Sequence, residues 1–359
     1  AITTTTLGGY CTAVGSGAGQ NAIRLSNTTI GYNAAQNLGY GQKNTVVGVN
    51  AMLGASASAG TITDASTTGG STAGGFGSAN ATVNVNQRVV DVTSGRIPEG
   101  TYVASITGTY GSVTACVLSQ AATGSGTLAS QNLAFYQTNS DECVAIGENA
   151  AKNITTGTAS VFVGVDSGGN GVITGTANTC VGVDSGYELT TGSYNTFIGK
   201  GAGDKTTTGV ENIAIGLNAM GLGVVVNSSS TLGMYNVAIG SKAGYDLTTG
   251  QKNVLLGADA GVNLTDNHNN VAIGHAALDA ATGGEHYNIA IGQNALGSEN
   301  SNANFCVGIG YSALALQDGN VKNTAIGGYA GDNIGNGGTS GDSNTLVGYL
   351  AGSAVSSGN

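Results

Sequence analysis

The sequence contains no tryptophan and a single proline, Pro98, and only 8% of its 359 residues are charged. Its 10 Lys and Arg are scattered among 20 Asp and Glu, and the net charge of -10 provides no basic surface for nucleic acid. No apolar run approaches the length of a membrane span, and the first residues lack the basic region of a secretory signal. We therefore expect a protein that binds no nucleic acid and is not embedded in a membrane.

Glycine and small residues dominate what is present. The chain has 63 glycines, and 40% of its residues are apolar. Glycine and β-branched residues lower helix stability, whereas Ala, Leu, Glu and Lys favour helices, so this composition argues against a helical fold. The apolar content also argues against simple disorder. The composition favours an all-β fold.

A short phrase recurs along the chain, as in "NIAIGLNAM" from 212, "NVAIGSKAG" from 236 and "NIAIGQNAL" from 288. Its fifth residue is always glycine, which we call the marker glycine. Apart from a gap of 99 residues after Gly48, successive marker glycines lie 16 to 24 residues apart, mostly 17 or 18. Such a period indicates a repeat protein. The fifteen marker glycines are Gly15, Gly31, Gly48, Gly147, Gly164, Gly182, Gly199, Gly216, Gly240, Gly257, Gly274, Gly292, Gly310, Gly327 and Gly348.

The first residue of the phrase is asparagine in eleven of the fifteen copies. We expect these side-chain amides to hydrogen bond to one another between stacked coils. Cys11, Cys143 and Cys306 occupy the same position, and the five cysteines form no CxxC pair. We therefore expect buried free thiols rather than disulfides or a zinc site. The predicted asparagine ladder consists of Asn27, Asn44, Asn178, Asn195, Asn212, Asn236, Asn253, Asn270, Asn288, Asn323 and Asn344.

The three residues between this position and the marker glycine predict a short strand. The first is always Thr, Val or Ile, and the third is always Ile, Val or Leu. The central residue is polar only at Thr29, so both faces of the strand are predicted to be buried. One face would line the interior of a coil, and the other would contact another copy of the chain. The central residues that we assign to this oligomer face are Val46, Phe162, Phe197, Leu255 and Leu346.

These patterns predict an all-β repeat protein. A period of 17 residues accommodates two short strands and two turns, at about 3.3 Å per strand residue. We expect a parallel β-solenoid (β-roll) of about 15 coils with a 17-18 residue period, homotrimeric and interrupted by a small antiparallel β module. The predicted divisions are N-terminal coils in 1-53, a Gly/Ser/Thr-rich connector in 54-80, the inserted module in 81-140, and the main β-roll of twelve coils in 141-359.

Candidate reactive groups recur in phase with the repeat. The stretch "NTFIGKGAGDKTTTG", 195–209, is similar to a phosphate loop, but Asp204 stands where the second glycine of a Walker motif belongs. Asp166 and Asp184 recur at one turn position, which indicates stacked turn residues rather than a catalytic pair. We predict no catalytic or cofactor-binding residues, no cofactor, and no enzyme activity.

Histidines and tyrosines give two further patterns. His268, His275 and His286 lack the spacing of metal ligands, so no metal site is predicted, although histidines ringed around a trimer axis leave that possibility open. Tyrosines precede the ladder asparagine at 194, 235 and 287. Such repeated placement indicates rings that shield the coil edges, with glycan binding as the alternative.

The phrase N-T/V-x-I-G-x-x-A-G, over about residues 7–53 and 141–352, resembles the head repeats of trimeric autotransporter adhesins and, more closely, repeats of bacteriophage tail fibres. The resemblance implies a rigid trimeric β-roll that is a structural, non-catalytic protein of a phage virion, a tail fibre or similar appendage involved in host attachment. Its implied partners are its own copies, other virion proteins at one end, and a glycan or protein receptor on the host cell surface.

Two alternatives stay open. A bacterial surface adhesin or extracellular filament subunit would carry the same repeats, but the signal peptide, coiled-coil stalk and membrane barrel of autotransporters are not visible in the sequence. The virion is therefore the expected location. A polysaccharide-degrading tailspike is less expected, because the paired acids fall in phase with the repeat.

Overall fold

The structure, a computed structural model, describes residues 11–19, 26–36, 41–53, 58–68, 73–80, 88–91, 103–107, 113–118, 127–136, 140–222, 233–280, 284–297, 303–316, 322–334 and 341–353. Of these, the six ranges between 58 and 136 are described by their backbone. All regular structure in these ranges is β, and they contain no helix. The all-β prediction is confirmed.

Strands of three residues lie directly before all fifteen marker glycines, where the sequence predicts them. They are β1 (Thr12–Val14), β2 (Thr28–Ile30), β3 (Thr45–Val47), β10 (Val144–Ile146), β11 (Val161–Val163), β12 (Thr179–Val181), β13 (Thr196–Ile198), β14 (Ile213–Ile215), β15 (Val237–Ile239), β16 (Val254–Leu256), β17 (Val271–Ile273), β18 (Ile289–Ile291), β19 (Val307–Ile309), β20 (Thr324–Ile326) and β21 (Thr345–Val347).

The chain divides into two units, 1–145 with 152–158 and 146–151 with 159–359. In the first unit β1, β2 and β3 pair in parallel, and in the second β11 to β21 pair in parallel in chain order. The register keeps repeat positions level, since Phe162 pairs with Cys180 and Cys180 with Phe197. This is the predicted parallel β-solenoid. The domain boundaries predicted at 53, 80 and 140 stay predictions.

The segment without repeats contains longer strands that pair antiparallel in the order β6-β9-β4-β5-β8-β7. Two of them fall in 54–80, which the sequence predicts to be a connector; ladder hydrogen bonds join backbone groups, so a tract of small residues can still form strands. Residues 92–102 lie outside the described residues, and a separate module stays a prediction. The strands are β4 (Ser58–Thr68), β5 (Ala73–Asn80), β6 (Arg88–Asp91), β7 (Val103–Thr107), β8 (Val113–Leu118) and β9 (Thr127–Tyr136).

The insertion interrupts the sequence of the first unit but not its stack of coils. The backbone N–H of Thr45 donates to the carbonyl of Cys143 at 2.9 Å. The N–H of Cys143 in turn donates to Oδ1 of Asn44 at 2.9 Å, across a sequence separation of 99 residues. Asn44 Nδ2 donates to the carbonyl of Ser140 at 2.9 Å. The chain therefore leaves and re-enters the stack between two successive coils.

Three columns line the interior of the coils, where a column is the set of residues at one repeat position. They are the central strand residue, the Ala or Ser three residues after the marker glycine, and the residue seven after it, which is Leu or Ile in the coils of Ile154, Leu189, Leu247, Leu264 and Ile334. Phe197, Ala202 and Leu189, one from each column, have no exposed surface. Complete burial of a leucine or phenylalanine side chain stabilises the fold by about 1.5 to 3 kcal/mol.

In several coils a large central residue occurs with a small residue four after the marker glycine, and a small central residue occurs with a large one. We call this pattern the volume exchange. Phe197 is central in its coil, and the later residue is Gly203, where a Cβ would lie 2.7 Å from the phenylalanine ring. In the next coil the central residue is Ala214, and the later residue is the fully buried Met220. The exchange fills the interior to a similar volume in both coils, as close packing requires.

Candidate functional site

The candidate functional site is the surface formed by the two strand residues on either side of the central one. Side chains alternate along a strand, so the central residue points into the coil and its two neighbours point out. These outward neighbours are uncharged and either half-buried or exposed, and Ile198 and Ile239 each retain 38% of their surface. We call the two columns the outward face.

The structure places the predicted oligomer-face residues in the interior, so that assignment is wrong. Val46, Phe162, Phe197 and Leu255 have no exposed surface, and Leu346 is half-buried. The residues beside them looked like core because they are β-branched, but β-branched residues favour strands on either face of a sheet. The volume exchange with the turn was the signal in the sequence that marks the central column as interior.

The outward face carries no charge. Only Thr, Val, Ile and Leu occupy its two columns in all fifteen copies. Exposed apolar surface that recurs on neighbouring coils, as on β13, β14 and β15, marks an interaction site, whereas single exposed apolar residues do not. Its apolar members that are exposed are Val14, Ile30, Ile146, Ile198, Ile213, Ile239, Ile289, Ile326 and Val347.

Two exposed columns border the outward face. The residue directly after the marker glycine forms the glycine-side edge, which includes Val183, Lys200 and Tyr311. The residue directly before the ladder asparagine forms the asparagine-side edge, which includes Tyr194 and Glu211. The edges carry charged and aromatic side chains in places, whereas the face between them carries neither.

The asparagine-side edge holds bulky residues in left-handed backbone conformations. Tyr194, Tyr235 and Tyr287 have φ of 61° and Phe305 has φ of 60°. This region costs a residue with a Cβ about 1 to 2 kcal/mol, and glycine or asparagine would relieve the strain. Tyr194 nevertheless keeps 61% of its surface exposed. Neither the backbone conformation nor packing in the coil interior explains why aromatic residues occur at these positions. They are therefore candidate contact residues.

The marker glycines are required by contacts between coils. Their φ lies between 129° and 141°, where a residue with a Cβ is strained. A Cβ on Gly274 would also lie 2.7 Å from the carbonyl of Gly292 in the next coil. The contact that requires glycine therefore lies within one chain.

The asparagines form the ladder that the sequence predicts. The backbone N–H and the side-chain Nδ2 of Asn195 both donate to Oδ1 of Asn178 at 3.1 Å, and the same Nδ2 donates to the carbonyl of Gly209 at 2.8 Å. The amide thus joins its coil to the preceding coil. It also bonds to a later turn of its own coil, at Gly209. Ten of the eleven predicted ladder residues, all except the half-buried Asn344, are buried.

Cysteine replaces asparagine without breaking this backbone bond. The N–H of Cys306 donates to Oδ1 of Asn288 at 2.9 Å. Cys143, Cys180 and Cys306 are buried, as expected, while Cys11 is half-buried. Burial raises the pKa of the Cys180 thiol, which keeps it protonated and unreactive. The side chain of the fifth cysteine, at 116, lies outside the described side chains.

Two histidines belong to a column whose side chains accept hydrogen bonds from the coil before. Nδ1 of His268 accepts from the N–H of Gln251 at 3.2 Å, and Nδ1 of His286 accepts from the N–H of His268 at 3.0 Å. The rings stack with centroids 4.9 Å apart. Because each Nδ1 must present a lone pair, Nε2 carries the proton in the neutral ring, which disfavours metal ligation there.

The stretch that is similar to a phosphate loop has its charged groups engaged elsewhere. Nζ of Lys205 contacts the carboxylate of Glu188 at 2.7 Å and that of Asp204 at 3.9 Å. Burial raises the pKa of Asp204. The lysine is therefore held by acids rather than presented to an anion.

A groove of about 440 Å³ crosses the turns of the later coils, between Asp279 and Asp332. Burial raises the pKa of both carboxyls. Three coil steps separate them, which is about 14 Å at roughly 4.8 Å per step. The carboxyl pair of a glycosidase lies about 5 to 9.5 Å apart, so these two do not suit that reaction. Asp166 and Asp184 have φ of 55° and 57°, which places both in the predicted turn.

Among the described residues, no three His, Cys, Asp or Glu side chains come together as a metal site would require. The same part of the chain has no helix of the length and hydropathy that crossing a bilayer demands. Comparison with known proteins returned no match to a family model, a curated protein or a solved structure.

Proposed function

We propose that this chain is a structural fibre protein of a phage virion, a homotrimer whose solenoids pack side by side through the outward face. It acts in host attachment without catalysis, as part of a tail fibre or similar appendage. The observation that carries the proposal is the uncharged face of Thr, Val, Ile and Leu side chains, half-buried or exposed, that recurs on every coil. A largely apolar surface that continues from coil to coil marks an interaction site.

A further copy of the chain is the partner that fits this face. Its coils repeat at the same rise, about 4.8 Å, so its side chains can interdigitate at every rung. A partner without this period would match only a few rungs. The second unit alone presents eleven successive strands, β11 to β21, which corresponds to about 50 Å of face. Three copies are proposed because the recurring phrase resembles repeats of trimeric fibres.

The place in a virion rests on the same resemblance, which is closer to phage tail fibres than to adhesin heads. A stiff stack of short coils suits a fibre, because the asparagine ladder ties successive coils together, as from Asn178 through Asn195 and Asn212 to Asn236. In this role one end contacts other virion proteins, and exposed residues contact a glycan or protein receptor on the host. A bacterial surface adhesin or extracellular filament is the second candidate, since it would need the same face.

Sedimentation equilibrium of the purified chain tests the assembly. We expect a three-chain species that persists at micromolar concentration. A folded, soluble single chain would refute the proposal. Location is tested separately with an antibody raised against the chain. Gold labelling of purified phage particles supports the virion role, whereas labelling of bacterial cell surfaces supports the adhesin.

A further inference from the structure

We infer that neighbouring copies pack in parallel, with the glycine-side edge of one copy against the asparagine-side edge of the next at the same height. At one such contact, Lys200 of one copy enters the crevice between Tyr194 and Glu211 of its neighbour. The inference rests on the proposed homo-oligomer and assigns residues to its interface.

The crevice opens on the outward face between two successive coils. Tyr194 and Thr196 from one coil and Glu211 and Ile213 from the next line its volume of about 410 Å³. The tyrosine ring attracts a cation over its face, and the carboxylate attracts the same charge. Thr196 and Ile213 offer apolar surface to an aliphatic stem. This combination fits a lysine side chain, whose stem is apolar and whose tip is charged.

Lys200 is the lysine on the opposite edge of the same coil as Tyr194. It is exposed, and within the described residues neither Lys200 nor Glu211 forms an ion pair. Two other lysines of the second unit have partners within the chain. Lys205 pairs with Glu188 at 2.7 Å, and Lys242 lies 5.9 Å from the centre of the Tyr245 ring. Lys200 and Glu211 are therefore complementary charges that the chain leaves exposed on opposite edges.

The two edges also match in character at other heights. In three of the eleven coils of the second unit, both edges are aliphatic or both are aromatic, and in the other eight the two edges differ in character. On one chain the two strand residues of the outward face separate the edges, so no contact within the chain requires the match. Contact with a neighbouring copy does require it. The matched pairs are Ala159 with Val165, Ala177 with Val183, and Phe305 with Tyr311.

Symmetry brings these edges together. Rotation about an axis along the solenoid keeps each residue at its height and turns the glycine-side edge of one copy toward the asparagine-side edge of the next. An antiparallel arrangement brings like edges together and mixes the heights. The complementarity of Lys200 with the crevice between Tyr194 and Glu211, which lies on the opposite edge at the same height, favours the parallel arrangement.

Cysteine cross-linking tests the pairing in the intact chain. Ala177→Cys and Val183→Cys are introduced together, the assembly is oxidised, and the species are separated without reductant. We expect a covalent three-chain species from the double variant and none from wild type, whose Cys180 is buried. Efficient two-chain cross-linking by Val183→Cys alone would show contact between like edges and would overturn the inference.

Charge exchange gives an independent measurement. We expect Lys200→Glu to raise the dissociation constant of the assembly about tenfold or more, and addition of Glu211→Lys to restore it. Lys242→Glu is the matched control, because Lys242 faces a tyrosine of its own chain, and it should leave assembly unchanged. An assembled wild type whose Lys200→Glu variant assembles equally well would refute the edge pairing alone. A wild type that sediments as a folded single chain would refute the homo-oligomer itself.

Discussion

At the scale of single residues, stacking makes identical positions contact one another. Marker glycines such as Gly274 lie against the marker glycine of the next coil, and ladder asparagines such as Asn195 and Asn212 bind the asparagine before them. A substitution therefore acts at two coils at once. This coupling explains why the glycine occurs in all fifteen copies, while the outward strand residues vary among Thr, Val, Ile and Leu.

Gly274→Ala should destabilise the fold by several kcal/mol, because the new Cβ would meet the carbonyl of Gly292 at 2.7 Å and the backbone has φ of 134°. Gly348→Ala is the matched control. Its φ is 129°, but within the described residues the nearest neighbour of its Cβ would be Ala351 at 3.9 Å, so backbone strain alone should lower its stability by only about 1 to 2 kcal/mol. Urea unfolding of both variants measures the difference, and equal losses would show that strain alone matters.

The stacked histidines predict a loss of stability in acid. Burial, the neighbouring His286 ring and Lys252 lower the pKa of His268, while Asp266 opposes them. With the folded-state pKa below the unfolded value of about 6.5, the unfolded chain binds protons more readily. The stability that the neutral His268 imidazole contributes is thus present above about pH 6.5 and is lost as the pH falls below that value. Protonation also removes the Nδ1 lone pair that accepts from Gln251.

His268→Asn provides the comparison, because Asn304 in the same column already accepts the N–H of His286 through its side-chain oxygen. Thermal unfolding between pH 7 and pH 5 should show a smaller fall in melting temperature for the variant than for wild type. Parallel curves for the two proteins would contradict the role of the imidazole.

At the scale of the coil, the interior is defined by volume rather than by one residue type. Phe197→Ala should cost about 3 to 5 kcal/mol through the cavity it leaves. Gly203→Met alone should also destabilise, since its side chain would collide with the ring. The two together should cost less than the sum, because Ala214 with Met220 shows that this exchange packs in the next coil. A double-mutant cycle in urea measures the coupling, and additive losses would contradict it.

Much of the coil could be predicted from the sequence, because backbone requirements repeat in phase. The strand before each marker glycine, the turn at Asp166 and the ladder at Asn195 follow from residue preferences that act within one coil. Which side of the strand faces inward could not be predicted from polarity, since both sides are apolar. The sequence therefore predicts that Phe197 faces outward. In the structure its ring is buried and packs against Gly203 in the coil interior.

The same limit applies to the contact surface. Tyr194 and Lys200 lie six residues apart in the sequence, and their relation becomes visible only once the outward face is known to separate them. The strands β4 and β5 could not be predicted, because a tract rich in Gly, Ser and Thr carries no alternation of apolar residues.

At the scale of the whole molecule, the outward face and the interior should respond differently to charge. Ile239→Glu places a carboxylate on the exposed face and should dissociate the assembly while the coils keep their β-sheet circular dichroism spectrum. Ala238→Glu, one residue earlier, buries the charge where no surface is exposed and should unfold the coils. Sedimentation and circular dichroism of the two variants separate the outcomes. Unfolding by both would mean that the coils cannot persist without neighbours.

The direct contact between Asn44 and Cys143 means that the stack does not register what the chain does between them. Because the coils on either side of this segment stack directly, the segment can change in size and sequence without disturbing them. A foreign domain with adjacent termini should be accepted there in place of residues 54–139. The inserted segment can thus be varied, by evolution or by engineering, while the solenoid coils stay unchanged.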